Sequence, residues 1–475
     1  MSSDRGLPPP DFGLRLSSRV HACDGGRTLM GGGRVVRLSA PAATLVEGLP
    51  GRVGPDPAAS RLARLLLDLG VADPWWEEPA GADVAVDDVT VVVPTQDRAA
   101  GVAQLLASLP SAVPVIVVDD GSADPAALEL VCRRYGARVV RHGHNRGPAA
   151  ARNTGLRAVQ TPYVAFCDSD VVPQPGWLAT LRRHLDDPSV ALVGPRVLGR
   201  AATPGDGWLD RYEQARSSLD LGPLPARVAL HGEVSYLPSA VLVARAAALG
   251  DGFDESMRCG EDVDLVWRLL SHEWGVRYEP AAVVRHDHRT SLGAWLGRKA
   301  FYGTSAAPLA ARHPGAVAPV VATPWTATVT VALLAQRRWS VPVAGVALAL
   351  VTCSTARRLK SSNRPTRAAA VLVLEGTVAA GWQGASALIR HYWPVVALAS
   401  VRSGRVRRAV LVAGVVEGVL DWRRVQPELD LPRYVVAHRL DDLAYGAGLW
   451  LGAVRARSAR SLMPLFKGWR PRSVR

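Results

Sequence analysis

Asp168-Ser169-Asp170 sets two carboxylates one residue apart, directly after the apolar run 163–166. In an alternating α/β chain such a run reads as a buried strand, and the two acids as its C-terminal lip, where open sheets bind their ligands. Carboxylates placed this way suit one hard divalent cation, Mg²⁺ or Mn²⁺, that keeps positions for phosphate oxygens. Five other groups bear on the same chemistry. Val117-Val118-Asp119-Asp120-Gly121-Ser122 ends an earlier strand in two acids that suit a ribose hydroxyl or a base N–H, or else an Asx turn capping the next helix. Val93-Pro94-Thr95 ends the strand expected beside it and floors the same crevice. Gly147-Pro148 opens a helix whose N-terminus favours anions, and Arg146 and Arg152 offer cations to a diphosphate or to the Asp168–Asp170 loop, or are simply solvated.

The fourth group, Gly260-Glu261-Asp262-Val263-Asp264, opens another helix with an acidic turn. Acids stabilise any helix start, yet this is the one acidic cluster downstream of the sheet with a fixed helical frame, which suits a general base. Finally, Arg285-His286-Asp287-His288 ends a short strand with both imidazoles on one face, giving a third metal ligand or a structural histidine. Neither G-x-G-x-x-G nor G-x-x-x-x-G-K-S/T stands at these turns, which argues against dinucleotide and P-loop chemistry.

The elements that must position these residues follow an alternating rhythm. Strands are expected at 89–93, 115–118, 139–140 and 163–166, with helices at 99–109, 128–135 and 148–159, the pattern of a doubly wound parallel sheet. Residues 1–86 form a separate small unit: a strand-like 34–39, an apolar helix at 42–49, and a helix at 59–69 with leucines at 62, 65, 66 and 69 before Gly70. Its order suggests a winged-helix-like domain, followed by a linker at Pro74, Pro79 and Gly81. Beyond 313 the chain changes character. Uncharged runs at 316–335 and 339–356 are each long enough to cross a bilayer, with Arg337-Arg338 between them and Arg357-Arg358 after. That leaves a crossing hairpin and a shallow in-plane pair both open. Apolar stretches near Val371 and Leu411, interrupted by Glu375 and Glu417, read as packed or interfacial helices. The Arg-rich tail from 455, with Leu462, Leu465, Phe466 and Trp469, suits an anionic membrane surface.

The whole chain bounds these readings. Its 475 residues allow two or three domains, taken as 1–86, 87–313 and 314–475. The formal charge of +14 fits nucleic acid, anionic lipid or a phosphorylated substrate, but all the basic side chains except three lysines are arginine, so coding bias contributes. No predicted element interleaves basic and aromatic residues, which argues against nucleic acid. Five scattered cysteines without C-x-x-C spacing argue against a disulfide framework and a zinc site, and fit a reducing compartment. The first fifteen residues carry no apolar core, so no signal peptide is expected and the catalytic part should face the cytosol.

Taken in order, strand–Asp119-Asp120-Gly121-Ser122, Asn145-Arg146-Gly147 with Arg152-Asn153, strand–Asp168-Ser169-Asp170 and Glu261-Asp262 resemble a family 2 glycosyltransferase of the GT-A fold over 89–288. Three flanking stretches sharpen the resemblance: 27–39, Gly252-Phe253-Asp254-Glu255, and Val276-Arg277-Tyr278-Glu279-Pro280. With the helix 260–269 they resemble the mycofactocin-system glycosyltransferases. That resemblance implies UDP-glucose as donor and premycofactocin, a peptide-derived redox molecule, or its β-1,4-linked glucose chain as acceptor. It implies an inverting, metal-dependent transfer at the cytoplasmic membrane. Asp119 and Asp120 then match the uridine-binding acids, Asp168 and Asp170 the metal-binding pair, and Asp262 the base of the Glu261-Asp262 pair. More faintly, the N-terminal unit resembles small peptide-recognition modules. Gln336-Arg337-Arg338-Trp339 is one residue short of a processive synthase's Q-x-x-R-W. Two alternatives stand beside this reading: a cell-envelope glycosyltransferase with a lipid-linked or polysaccharide acceptor, and a non-catalytic membrane scaffold.

Overall fold

The computed structural model describes residues 6–31, 34–77, 84–200, 207–287, 291–360 and 363–467. The chain forms two compact units, Met1–Ser17 with Gly48–Thr290, and Ser18–Glu47 with Ser291–Arg475.

In the first unit, β1 (Val89–Thr95) is buried at every position, as a β-branched run covered on both faces must be. There follow α1 (Ala99–Ala107), β2 (Val115–Asp119), α2 (Pro125–Tyr135), β3 (Arg138–Arg141), α3 (Pro148–Ala158) and β4 (Tyr163–Cys167). Helix starts are local: the Asp124 side chain accepts from Ala127 N with Pro125 at the first turn of α2, and Pro148 opens α3 after Gly147. The four strands run parallel in the order β3-β2-β1-β4.

Beyond them lie β5 (Val171–Pro173), α4 (Trp177–Arg183), β6 (Val190–Arg200), α5 (Trp208–Ala215), β7 (Ala226–Arg227), β8 (Val241–Arg245), α6 (Glu261–Ser271) and β9 (Gly275–Asp287). The completed nine-stranded sheet reads β5-β9-β6-β8-β4-β1-β2-β3, with β7 paired to β9 off that path. The parallel order expected for the strands of 89–166 holds, and the half of the sheet added to it is mixed. β8 runs antiparallel to both β4 and β6, β5 antiparallel to β9, and only β6 and β9 are parallel. Strict strand–helix alternation lapses after β4, and parallel pairing depends on it. The core is aliphatic, with Val91, Val93, Leu105, Val117, Leu181 and Val243 in one cluster.

A three-stranded sheet in the same unit sets Gly13–Leu16 between Gly51–Arg52 and Ala72–Trp75. The helix Pro57–Leu69 starts at an Asp56 cap and stops at left-handed Gly70, as its leucine spacing predicts. Its Arg64 reaches fully buried Asp187 at 2.6 Å. Of the proposed linker, Pro74 lies in a strand, while Pro79 and Gly81 lie outside the described residues.

The second unit contains the sheet of His21–Cys23, Thr28–Gly31 and Arg34–Arg37 and the helix Ala40–Glu47. The first 86 residues are thus shared between the two units. Met30 packs with Leu359, Ala368 and Ala369, and Arg37 donates to the Arg358 carbonyl at 2.7 Å. The helices are α7 (Leu292–Thr304), α8 (Ala306–Arg312), α9 (Pro324–Ala335), α10 (Ser340–Arg358), α11 (Pro365–Ser386), α12 (Trp393–Arg402), α13 (Gly404–Val425) and α14 (Leu431–Arg455). The run 316–335 is not one bilayer-length helix. Val321–Ala322 pairs with Leu465–Phe466, and Pro324 fixes a start that leaves α9 with 12 residues, about 18 Å at 1.5 Å each. Among the described residues only α10, with 19 residues, is long and apolar enough to cross a membrane.

Charge lies inside this unit. Glu417, Asp421, His438, Asp441 and Asp442 are buried, while Val341, Leu350, Leu398, Val401 and Leu411 are exposed.

Candidate active site

Register brings the strand lips level. Thr95 stands opposite Asp119 and Pro94 opposite Val118, while Phe166, two residues before Asp168, stands opposite Val92. The loops leaving these strands are laced together. Asp97, at a positive φ of 54°, donates its N–H to the Ser122 hydroxyl at 2.8 Å and accepts from Ala123 N at 2.7 Å. Asp119 accepts from Ser122 N at 2.9 Å and faces Arg141 at 3.7 Å. At 1% exposure it forms the Asx turn. Asp120 accepts from Arg146 N and Gly147 N, both at 2.8 Å, and meets His142 Nδ1 at 2.7 Å. It therefore anchors the start of α3, with its Oδ2 holding only the one bond from Gly147. The Thr95 hydroxyl is buried without a protein partner.

Asp168 and Asp170 follow β4 as the sequence predicts. A Cβ at Gly101 would run into the Ser169 carbonyl, so glycine there lets α1 lie against the loop. Val171 pairs with His286 across β5 and β9, which carries His286 Nε2 to 3.4 Å from Asp170 Oδ1. Arg98 reaches the other Asp170 oxygen at 3.4 Å. Beside them opens a cavity of about 380 Å³ lined in part by Arg98, Gly101, Asp170, Arg200 and Asp287. Two carboxylates and an imidazole, of which His286 and Asp170 stand 3.4 Å apart and Asp168 and Asp170 are partly exposed, are donor types that suit Mg²⁺ or, with the nitrogen ligand, Mn²⁺. His288 lies outside the described residues.

Arg152 is the hub. Its side chain is 3% exposed, with Nη2 2.7 Å from Asp168 Oδ1 and Nη1 3.0 Å from Glu261 Oε1. The guanidinium lies 5.3 Å from the Phe253 ring centroid. Burial alone disfavours its charge, but Asp168 and Glu261 hold its pKa above the usual arginine value. Burial pushes the Asp168 carboxyl up, against the pull of Arg152 and with a further push from Asp170. Both terminal nitrogens of Arg152 are thus paired with carboxylates. Arg146 differs: 42% exposed, it touches Glu255 at 3.1 Å.

On α6, left-handed Gly260 turns the chain so that Glu261 and Asp262 enter the helix together. Asp262 accepts from Ser239 N at 3.0 Å and from its neighbour Val263 N at 2.8 Å. Burial, and then the Glu261 charge, raise its pKa to about 6 against the pull of these N–H groups and Arg152. A carboxylate poised there can accept a proton near neutral pH. The Glu261 carboxylate is engaged by Arg152 instead.

The Glycosyl transferase family 2 profile matches residues 90–245, the span carrying β1 to β8 and the Asp168–Asp170 loop. The Pre-mycofactocin glycosyltransferase of Mycobacterium tuberculosis is 45% identical over 480 residues, 97% of this chain and 98% of that protein. This chain belongs to that glycosyltransferase family. Succinoglycan biosynthesis protein ExoU of Rhizobium meliloti is 30% identical over 243 residues, 48% of this chain and 70% of its own. Among solved structures, a mannosyltransferase of Pyrobaculum calidifontis in complex with GDP-Man and Mn²⁺ aligns over 62% of this chain and 90% of its own, at 20% identity and a TM-score of 0.37. The first unit of this glycosyltransferase has the GT-A organisation its family implies: parallel strands ending in the D-x-D loop, followed by a mixed half-sheet.

Several residues of the glycosyltransferase site escape sequence reading. His142 bridges Asp120 and, at 2.9 Å, the Thr154 hydroxyl. Asn153 donates to the Phe253 carbonyl and accepts from Phe253 N, both at 2.8 Å, and donates to Glu255 at 3.1 Å. Arg98 and Arg200 line the cavity. Asn153, Phe253 and Glu255 lie in motifs that flagged them; His142, Arg98 and Arg200 stand at or just past strand ends without a distinctive pattern. Among the described residues, the acid–histidine group whose ligand atoms all lie within 4.8 Å of one another is instead Glu417, His438 and Asp442, in the helical unit. There Arg439 contacts both carboxylates and already supplies the positive charge.

Proposed function

We propose that this glycosyltransferase moves glucose from UDP-glucose to premycofactocin with inversion at the anomeric carbon, and extends the sugar through β-1,4 links. The acceptor follows the relative that matches nearly the whole chain; glucose, linkage and inversion follow from the family resemblance and the single base. The observation that carries the reading is Asp262, held by two backbone N–H groups, poised near pH 6, and joined through Glu261 and Arg152 to Asp168. Asp262 takes the acceptor hydroxyl proton as that oxygen bonds to the anomeric carbon. The bond from that carbon to the diphosphate breaks, and UDP leaves with the electron pair.

Thr95 and Asp120, with Pro94 in the floor, take the nucleoside end, and Arg146 and Arg98 face the phosphates. Asp168, Asp170 and His286 hold the divalent cation, Mg²⁺ or Mn²⁺. When bound, it supplies positive charge for the departing diphosphate. Within the first 86 residues, the small strand–helix elements recognise the peptide-derived part of the acceptor. The exposed valines and leucines of α10 to α13 support an association with the cytoplasmic membrane, and in this reading the catalytic unit works on the cytosolic side.

That apolar surface also favours a second reading, a cell-envelope glycosyltransferase with a lipid-linked or polysaccharide acceptor. UDP release is measured with labelled UDP-glucose against purified premycofactocin and against a lipid extract, with and without chelator. Chelator-sensitive label in a peptide-derived product, in hexose steps by mass, supports the first reading. Label only in the lipid extract supports the second. Failure to bind UDP or cleave UDP-glucose with Mn²⁺ leaves a scaffold.

A further inference from the structure

We infer that Arg152 is a positioning residue that locks the Asp168 side of the metal-binding loop to Glu261 at the start of α6, so that the cation-binding carboxylates and the base Asp262 are held as one body. The inference rests on the function proposed above and assigns Arg152 a role other than donor contact. Three elements meet at its guanidinium. It projects from α3, meets Asp168 at the lip of β4 through Nη2, and meets Glu261 on α6 through Nη1. Its own turn is pinned, because Asn153 exchanges two hydrogen bonds with the Phe253 backbone and the Phe253 ring lies against the guanidinium. A phosphate reaching Arg152 has to break one of the two ion pairs of this buried guanidinium and strand a carboxylate. Lysine keeps the charge but, lacking the planar fork, cannot hold both partners in this geometry. Asp262 is the next residue after Glu261, so whatever turns the first turn of α6 turns the base.

The test compares wild type, Arg152→Lys, Glu261→Gln and the double variant in steady-state UDP release, with UDP affinity in the presence of Mn²⁺ measured by calorimetry. Arg152→Lys is expected to lower kcat about 10²-fold, the scale of a misplaced catalytic group, while UDP affinity stays within about threefold of wild type. Glu261→Gln is expected to lower kcat about tenfold, as one weakened charge-assisted bond, and to add little in the Arg152→Lys background. A loss of UDP affinity that accounts for the whole fall in kcat/KM, with kcat kept, makes Arg152 a donor ligand and overturns the inference. Additive losses in the double variant overturn it too. Should Arg152→Lys fail to fold, Glu261→Gln decides alone, and an unchanged kcat sinks the strut. Wild-type protein without metal-dependent UDP release refutes the function assigned above. The thermal-midpoint coupling of the same two substitutions then tests the strut by itself, additivity counting against it.

Discussion

Both units bury charged groups, but they differ in what fills the centre and in what stays exposed. In the catalytic unit Val91, Val93, Val117 and Val243 fill the centre, and charged groups gather at the strand lips. In the helical unit Glu417, Asp421 and His438 fill the space between α13 and α14, while Leu398 is 74% and Val401 80% exposed. Water favours the first arrangement, since apolar area is removed from it. The second arrangement costs free energy in water twice, once for burying ions and once for leaving aliphatic side chains wet. Surrounded by hydrocarbon, the same distribution is favourable, because polar groups must then find partners inside. The contrast is the one the proposed membrane association predicts: a catalytic domain organised by water, and a helical unit organised by lipid.

The most damaging test of the catalytic half is Asp262→Asn. Turnover should fall about 10²–10⁴-fold with UDP affinity nearly kept; full turnover would show that another group takes the proton. Because Asp262 must be ionised to act, kcat/KM in wild type should drop as pH falls through about 6. The linkage has the opposite sense for stability. A raised folded-state pKa means that protonation favours the native state. This contribution is full below the ordinary carboxylate pKa and lost as pH rises through about 6.

Next in size is loss of the cation. Chelator should abolish turnover and Mn²⁺ restore it, and His286→Ala should weaken the Mn²⁺ requirement's midpoint about 10-fold or more. An unchanged midpoint removes His286 from the ligand set. For the helical half, Arg439→Met strips the cation from Glu417 and Asp442. It should destabilise the protein by about 3–5 kcal/mol in detergent denaturation; a neutral result breaks the account of a charged interior. The smallest effect on folding is expected from Leu398→Glu with Val401→Glu, within about 0.5 kcal/mol because both positions are exposed. That pair should still reduce sedimentation with anionic phosphatidylglycerol vesicles several-fold. Undiminished vesicle binding turns the apolar face toward some other partner.

Much of the site is legible in residue order. Pro148, Gly147 and the Asp124 cap fix helix starts through local backbone chemistry, and the apolar runs before Asp119-Asp120 and Asp168-Ser169-Asp170 mark strand ends. His286 is suggested by alternation, but its partner Asp170 is set by the register of β5 against β9. Arg152 shows how far pattern alone reaches. Residue order offers it to a diphosphate, to the Asp168–Asp170 loop or to solvent, and its burial between Asp168 and Glu261 depends on chain segments far apart.

The sequence by itself determined the alternating strands and helices of residues 89–166, the acids at the strand lips, the acidic start of α6 and the family. These rest on periodicity, caps and spacing, which act within a few residues. Tertiary structure decided that Asp119 turns inward, that β8 enters antiparallel, that the strands of residues 28–37 join the C-terminal helices, and that charge lies inside those helices. Each depends on which distant segment covers a group, and burial and pairing across the fold are not written in local order.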